Sequence, residues 1–247
     1  MADRARGEVE ADDAQAALWR RLEFFPTPPW AARAGGELIL RLDPEARTCW
    51  EPACGQGHMA HGLRAFFETV FASDIHDHGW VGQSLVMDFL DTGERADWEG
   101  EVDWIATNPP FGRAAEFVEV GLKRARRGVA LLARAALLES AGRFDLMFGR
   151  DGLLIFAPFI ERVPMKLGAW DPKGSTATAY AWFVWVTPAF RAELEDAGRW
   201  PTTAPRRPVI WPIPPGTKAG LTRPHDVRLF GERPAGPDLF SEEEAAP

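Results

Sequence analysis

Cysteine is nearly absent from this chain. Its 247 residues contain only Cys49 and Cys54, too few for a disulfide framework, so two reduced thiols in a cytoplasmic protein are the expectation. No apolar run approaches the ~20 residues needed to cross a bilayer, and the opening Met1-Ala2-Asp3-Arg4-Ala5-Arg6-Gly7-Glu8 lacks the apolar stretch of a signal peptide. Histidine is also scarce. Of the five, His58 and His61 share the start of one helical pattern without a zinc-type cysteine pair, and with His76 and His78 they read as surface or loop residues, so no metal is expected. Positive charge is in deficit, with a net charge of −8, which argues against tight docking on a phosphate backbone. Much of the excess acid lies at the ends, at Glu8, Glu10, Asp12 and Asp13 and at Glu242, Glu243 and Glu244. Two basic sets remain as candidates for phosphate contact: Lys123, Arg124, Arg126 and Arg127, and Arg206, Arg207, Lys218, Arg223 and Arg228.

What the chain does have is a short apolar run, Val102 to Thr107, that stops at Asn108-Pro109-Pro110-Phe111. The run predicts a buried strand, and two prolines cannot continue a sheet ladder. Each proline has its φ fixed and restricts the residue before it, so Asn108 sits on a stiff turn at a strand's carboxyl end, where α/β folds place their chemistry. The Asn108 side-chain oxygen and the Pro109 carbonyl are two acceptors for a planar amino group, and Phe111 offers a flat face beside them. A plain strand terminator is the alternative reading of these four residues.

Upstream, Thr48 to Trp50 predicts a strand, Glu51-Pro52-Ala53-Cys54-Gly55-Gln56-Gly57 a glycine turn, and Met59, Leu63, Phe66 and Phe67 a helix. Strand, glycine turn and helix together let backbone N–H groups approach a ligand. Glu51 suits a cationic ligand better than a phosphate, which disfavours a dinucleotide site. Thr69 to Asp74 predicts a second strand ending in a carboxylate about 20 residues beyond the turn, placed to accept ribose hydroxyls. Asp77 competes for that contact. Asp88 closes a third short run, Ser84 to Met87, and precedes Phe89. Either Asp is alternatively a solvated loop residue or helix cap. Phe24-Phe25-Pro26-Thr27-Pro28-Pro29-Trp30 lies ahead of all these, either as a cofactor flap or as an aromatic arm over a sheet edge.

These motifs in this order, over roughly residues 23 to 186, resemble the S-adenosylmethionine-dependent DNA adenine-N6 methyltransferases of the Asn-Pro-Pro-Phe type. The resemblance implies an α/β class I Rossmann-like sheet, mostly parallel with an antiparallel last strand and helices on both faces. It implies Asn108, Pro109, Pro110 and Phe111 as catalytic residues. It also implies a cofactor site from Phe25, Thr27, Glu51, Ala53, Gly55, Gly57, Asp74, Asp88 and Phe89: Thr27 on the methionine carboxylate, Asp74 on the ribose, Asp88 and Phe89 on the adenine. Pro26 separates Phe25 from Thr27, a departure from the family's simplest pattern, and leaves open which ring packs on the cofactor. Methylation of RNA bases or of a protein glutamine amide, and a non-catalytic cofactor-binding role, are the competing functions.

The organisation expected is an acidic segment 1–22 with a short helix from Ala14, a catalytic domain 23–190, and a proline-rich extension 191–247 with an acidic tail. Tyr180 to Val186 is the expected last strand. The stretch 161–178 reads as a loop in which Trp170 is a candidate for stacking on a base and Lys166 and Lys173 for phosphate contact. Pro237-Asp238-Leu239-Phe240 resembles peptides that dock on the bacterial sliding clamp, through Leu239 and Phe240.

Overall fold

A computed structural model describes residues 13–92, 101–149, 151–201 and 207–231. Helix α1 covers the described residues 13–22, followed by α2 (Pro29–Leu42), β1 (Thr48–Glu51), α3 (His58–Leu63), β2 (Thr69–Asp74) and β3 (Leu85–Val86). Then come β4 (Val102–Thr107), α4 (Ala114–Arg124), β5 (Ala125–Arg134), α5 (Phe144–Phe148), β6 (Ile155–Pro158) and β7 (Tyr180–Val186). The chain continues through α6 (Pro188–Asp196), β8 (Val209–Ile210), α7 (Thr217–Leu221) and α8 (Pro224–Phe230). One sheet has the order β3-β2-β1-β4-β5-β7-β6-β8. Its pairs are parallel except those of β7, which runs antiparallel to both β5 and β6.

Strands β4 and β7 are buried at every position, as near-continuous apolar runs require when both faces of a sheet are covered. Their alternation assigns the two faces. Trp104, Ala106, Trp182 and Val184 join α2, α3 and α6 in one core through Trp30, Ile39, Leu63 and Phe190. Ile105, Phe183 and Trp185 point the other way, into a second core with Phe117 and Val118 of α4 and Met147 of α5. Close packing sets local residue choice: a side chain on Gly35 of α2 would meet the Trp182 ring at 2.3 Å, and the Trp182 indole N–H donates to the Ala31 carbonyl at 2.9 Å.

The C-terminal region departs from expectation. Tyr180–Val186 is the antiparallel strand, but β8 follows it and pairs with β6, and the boundary drawn after residue 190 falls inside α6. Residues 207–231 are not an extended tail: β8, α7 and α8 pack on the domain through a buried ion pair. Arg33 of α2 donates to both Asp226 oxygens, at 2.6 and 2.7 Å, and to the Leu221 carbonyl at 2.8 Å. Both side chains are almost wholly buried. Burial opposes ionisation of Asp226, but the Arg33 hydrogen bond and the Arg223 N–H outweigh it and hold the carboxyl below its usual range. Such a pair does little net work when intact but is costly to break, because one charge is then buried alone. Asp226→Ala should destabilise the chain by about 3–5 kcal/mol, whereas replacing Arg33 and Asp226 together by apolar residues should cost much less. Denaturant titration of the single and double variants measures both.

Candidate active site

The sheet order reverses between β1 and β4, where α3 leaves toward one face and α4 toward the other. Diverging connections open a crevice at the carboxyl ends of these two strands, the position at which open α/β sheets bind ligands. Glu51 ends β1 and Thr107 ends β4, and the Thr107 hydroxyl donates to Glu51 Oε1 across the junction. The Ala53 N–H donates to the same oxygen at 3.1 Å. Glu51 Oε2 is buried and has no partner. Burial pushes the Glu51 carboxyl up to about 8, against the lowering effect of its two hydrogen bonds.

The glycine turn follows. Gly55 and Gly57 take left-handed backbone conformations, with φ of 50° and 85°. Asp74, at the end of β2, accepts the Gly55 N–H at 2.9 Å on one oxygen and the His76 N–H at 3.0 Å on the other. The carboxylate thus braces the turn while lining the cleft. Asp88 is exposed at the cleft's far end, accepting the Leu90 N–H at 2.9 Å. Phe89 is buried edge-on against Trp50, with ring centroids 5.1 Å apart.

The aromatic arm closes the opposite wall. Asn108 Nδ2 donates to the Phe25 carbonyl at 3.0 Å, which fixes the amide orientation and leaves Asn108 Oδ1 buried without a partner. The Phe111 N–H donates to Glu23 Oε2 at 2.5 Å, and Glu23 itself has a φ of 50°, uncommon for a residue with a side chain. A side chain on Gly55 would meet the Phe24 ring at 2.4 Å, so the arm lies directly on the turn.

The resulting cleft has an empty volume of about 870 Å³ counted out to open solvent. Phe25, Thr27, Glu51, Ala53, Gly55, Asp74, Asp88 and Phe89 all line it; Gly57 does not, and instead caps α3 beside the Trp80 ring. Asn108 and Pro110 line it, while Pro109 is buried behind them. Phe111 is also set back: its ring lies 5.1 Å from that of Phe25, and the Arg134 guanidinium sits 3.9 Å over it, so the face read as a stacking platform is covered by a cation.

Other expectations fail. Trp170 is 1% exposed, a core residue bridged to Gly231 beneath the C-terminal helices, and not a side chain free to stack on a base. Lys166 and Lys173 are exposed but do not line the cleft. His58 is not a surface residue. It is buried in the cleft wall with its ring 4.4 Å from Phe230, and burial pulls its pKa down to about 4. Arg126 and Arg127 pair with Asp103 and Asp43 at the amino-terminal end of the sheet, away from the cleft. Leu239 and Phe240 lie outside the described residues. The sequence reading did not single out Glu23, Arg113 or His78 as site residues, although each lines the cleft. The acid at Glu23 and the base at Arg113 flank the two motifs, which was the available signal.

No protein-family model matches the chain, and no curated protein does. Solved structures do. A provisionally named RNA methyltransferase from Pyrococcus horikoshii superposes with a TM-score of 0.53 at 17% identity, over 69% of this chain and 88% of that one. A type I restriction-modification methyltransferase subunit from Streptococcus thermophilus gives 0.50 at 13% identity, over 66% of this chain and 45% of that one. The fold is that of class I methyltransferases. The antiparallel β7 between β5 and β6 belongs to this methyltransferase fold, and β8 extends it at one edge.

Glu51 and His58, two buried titratable groups of the cleft, give the chain a defined pH response between 4.5 and 8. Glu51 has a folded pKa of about 8 against an ordinary 4.5, so its contribution is fully present below 4.5, declines with rising pH and is gone above about 8. His58, at about 4 against 6.5, acts oppositely: its contribution is present above 6.5 and lost as pH falls toward 4. The two slopes cancel between those ordinary values. Stability should therefore be nearly level from 4.5 to 6.5 and fall from 6.5 to 8. Thermal unfolding across this range should show the fall, and Glu51→Gln should remove it.

Proposed function

We propose that this chain transfers a methyl group from S-adenosylmethionine to the exocyclic N6 amine of adenine in DNA, with short or relaxed sequence specificity. The observation that carries the reading is the buried, partnerless Asn108 Oδ1 at the wall of a cleft continuous with the glycine turn. Its amide cannot rotate without losing the bond from Nδ2 to the Phe25 carbonyl, so the oxygen is held ready for an incoming N–H. An arylamine supplies such a donor.

The residues present fit the cofactor. Glu51 Oε2 is a buried oxygen without a partner, its carboxyl is held largely neutral by burial, and a bound cation favours its ionised form; S-adenosylmethionine carries a sulfonium and an ammonium. Asp74 and Asp88 stand along the same cleft for the ribose and the adenine, and Thr27 is placed in the arm for the methionine carboxylate. When bound, S-adenosylmethionine supplies an activated methyl carbon and leaves as S-adenosylhomocysteine.

The chain's own contribution is positioning and electrostatics. Adenine's amine is a weak nucleophile because its lone pair is delocalised into the ring. Acceptance of its N–H bonds by Asn108 Oδ1 and the Pro109 carbonyl localises that pair and stabilises the positive charge that develops on nitrogen. The prolines keep both acceptors fixed, so no reorganisation is needed. No general base is required before attack: the C–S bond breaks as the C–N bond forms, and the proton then passes from the cationic nitrogen to solvent water at the open cleft. A target base leaving the duplex stack costs a few kcal/mol, and Phe25, which lines the cleft, is the ring that receives it.

Three outcomes test this. With methyl-labelled cofactor and separate DNA, RNA and protein pools, label should enter DNA and appear as N6-methyladenine after digestion to nucleosides; label only in RNA or protein would overturn the substrate. Asn108→Ala should bind cofactor normally and lose roughly 10²- to 10³-fold in turnover, as removal of one preorganised partner does. Cofactor affinity should also rise from pH 6 to 8, because a cationic ligand favours ionised Glu51, and calorimetry of Glu51→Gln should show that dependence removed.

A further inference from the structure

Between α3 and α8, two histidines distant in sequence meet beside the buried ion pair. His61 Nε2 and His225 Nε2 are 3.1 Å apart. Each also faces Asp226 Oδ1, at 3.4 Å from His61 and 3.6 Å from His225. A single proton can bridge the two nitrogens, but neither imidazole then reaches the carboxylate at an ordinary N–H···O length. The two distances to the carboxylate instead match the edges of a coordination tetrahedron, and the two nitrogens stand slightly closer than such an edge. Metal–ligand bonds of ~2.0–2.2 Å for zinc imply ligand–ligand edges of about 3.3–3.6 Å.

We propose that His61, His225 and Asp226 form a binding site for a zinc-class divalent cation that clips α8 onto α3. Asp226 Oδ1 accepts one hydrogen bond, from Arg33 Nη2, and has a further lone pair on the side facing the histidines. Arg33 thereby fixes the carboxylate as an outer partner of a metal usually does. The side chains of His61 and His225 are partly exposed, which gives an ion access and leaves room for water as a fourth ligand. The charge around the site decides the ion class. Arg33 neutralises Asp226, so no net negative charge attracts magnesium or calcium, and the affinity must come from two imidazole nitrogens. The Arg33–Asp226 link holds the C-terminal region on α2, and the clip adds a tie to α3, the helix that begins at the glycine turn. This inference is independent of the proposed methyl transfer.

The test uses the full chain and zinc alone. After equilibration with zinc and dialysis, elemental analysis should find about one equivalent per chain, and zinc should raise the melting temperature in a manner reversed by a chelator, while magnesium leaves it unchanged. His61→Ala and His225→Ala should each weaken zinc binding by more than the roughly 10- to 100-fold typical of losing an outer partner, with melting in chelator close to that of the parent chain. A parent chain that retains no zinc and shows no shift overturns the proposal, as does a His225→Ala variant that binds zinc as tightly as the parent. A variant that melts early in chelator is replaced by His225→Gln, judged by the same zinc stoichiometry.

Discussion

The contact on which the site depends is the hydrogen bond from Thr107 to Glu51, which ties the ends of two adjacent strands where the sheet changes direction. The two turns that carry the partnerless oxygen of Asn108 and the glycines hang from these ends. The glycine turn continues β1, and the Asn-Pro-Pro-Phe turn continues β4. The bond sets their separation, and the helices that follow, packed on opposite faces, keep the space between them open. A carboxyl placed here is costly to ionise, and burial raises its pKa accordingly. A cationic ligand lowers that cost, so in the proposed reaction the residue that ties the strand ends also favours a cation between them.

Two atoms remain without partners at this junction, Glu51 Oε2 and Asn108 Oδ1. Buried acceptors left unsatisfied are uncommon in native structures, and each costs free energy until something donates to it. They stand on different strands and face one cleft. One is suited to a cation and the other to an N–H group, which is the pairing a sulfonium donor and an arylamine acceptor bring. The aromatic arm enforces this by chemistry distant in sequence: the Phe25 carbonyl holds the Asn108 amide, and Glu23, in a left-handed conformation, holds the Phe111 N–H. Strain of this kind persists where surrounding contacts over-determine it.

Much of this was legible in the sequence because burial on both faces writes itself as unbroken apolar runs. Val102–Thr107, Thr69–Asp74 and Tyr180–Val186 have the bounds their composition predicts. The turns were legible because proline and glycine restrict φ for local reasons. The missed features are those decided by tertiary contact. Trp170 sits among polar and glycine neighbours that signal a loop, and only the helices folding over it make it a core residue. Strand β8 has two residues, and α7 and α8 have five and seven, too short to display a period; they are held by Arg33, nearly two hundred positions away from Asp226. The basic residues Arg126 and Arg127 looked free for phosphate because their acidic partners, Asp103 and Asp43, lie on separate elements. His61 lacked company for the same reason, since His225 reaches it only through the fold.

A crystal structure with S-adenosylhomocysteine tests the central claim most directly, because it locates the ligand without relying on turnover. The account predicts the nucleoside between Asp74 and Asp88, the amino-acid end beside Thr27 and Glu51, and the sulfur facing the open space before Asn108 Oδ1. A ligand bound elsewhere, or a wall of side chains separating its sulfur from Asn108, would contradict it.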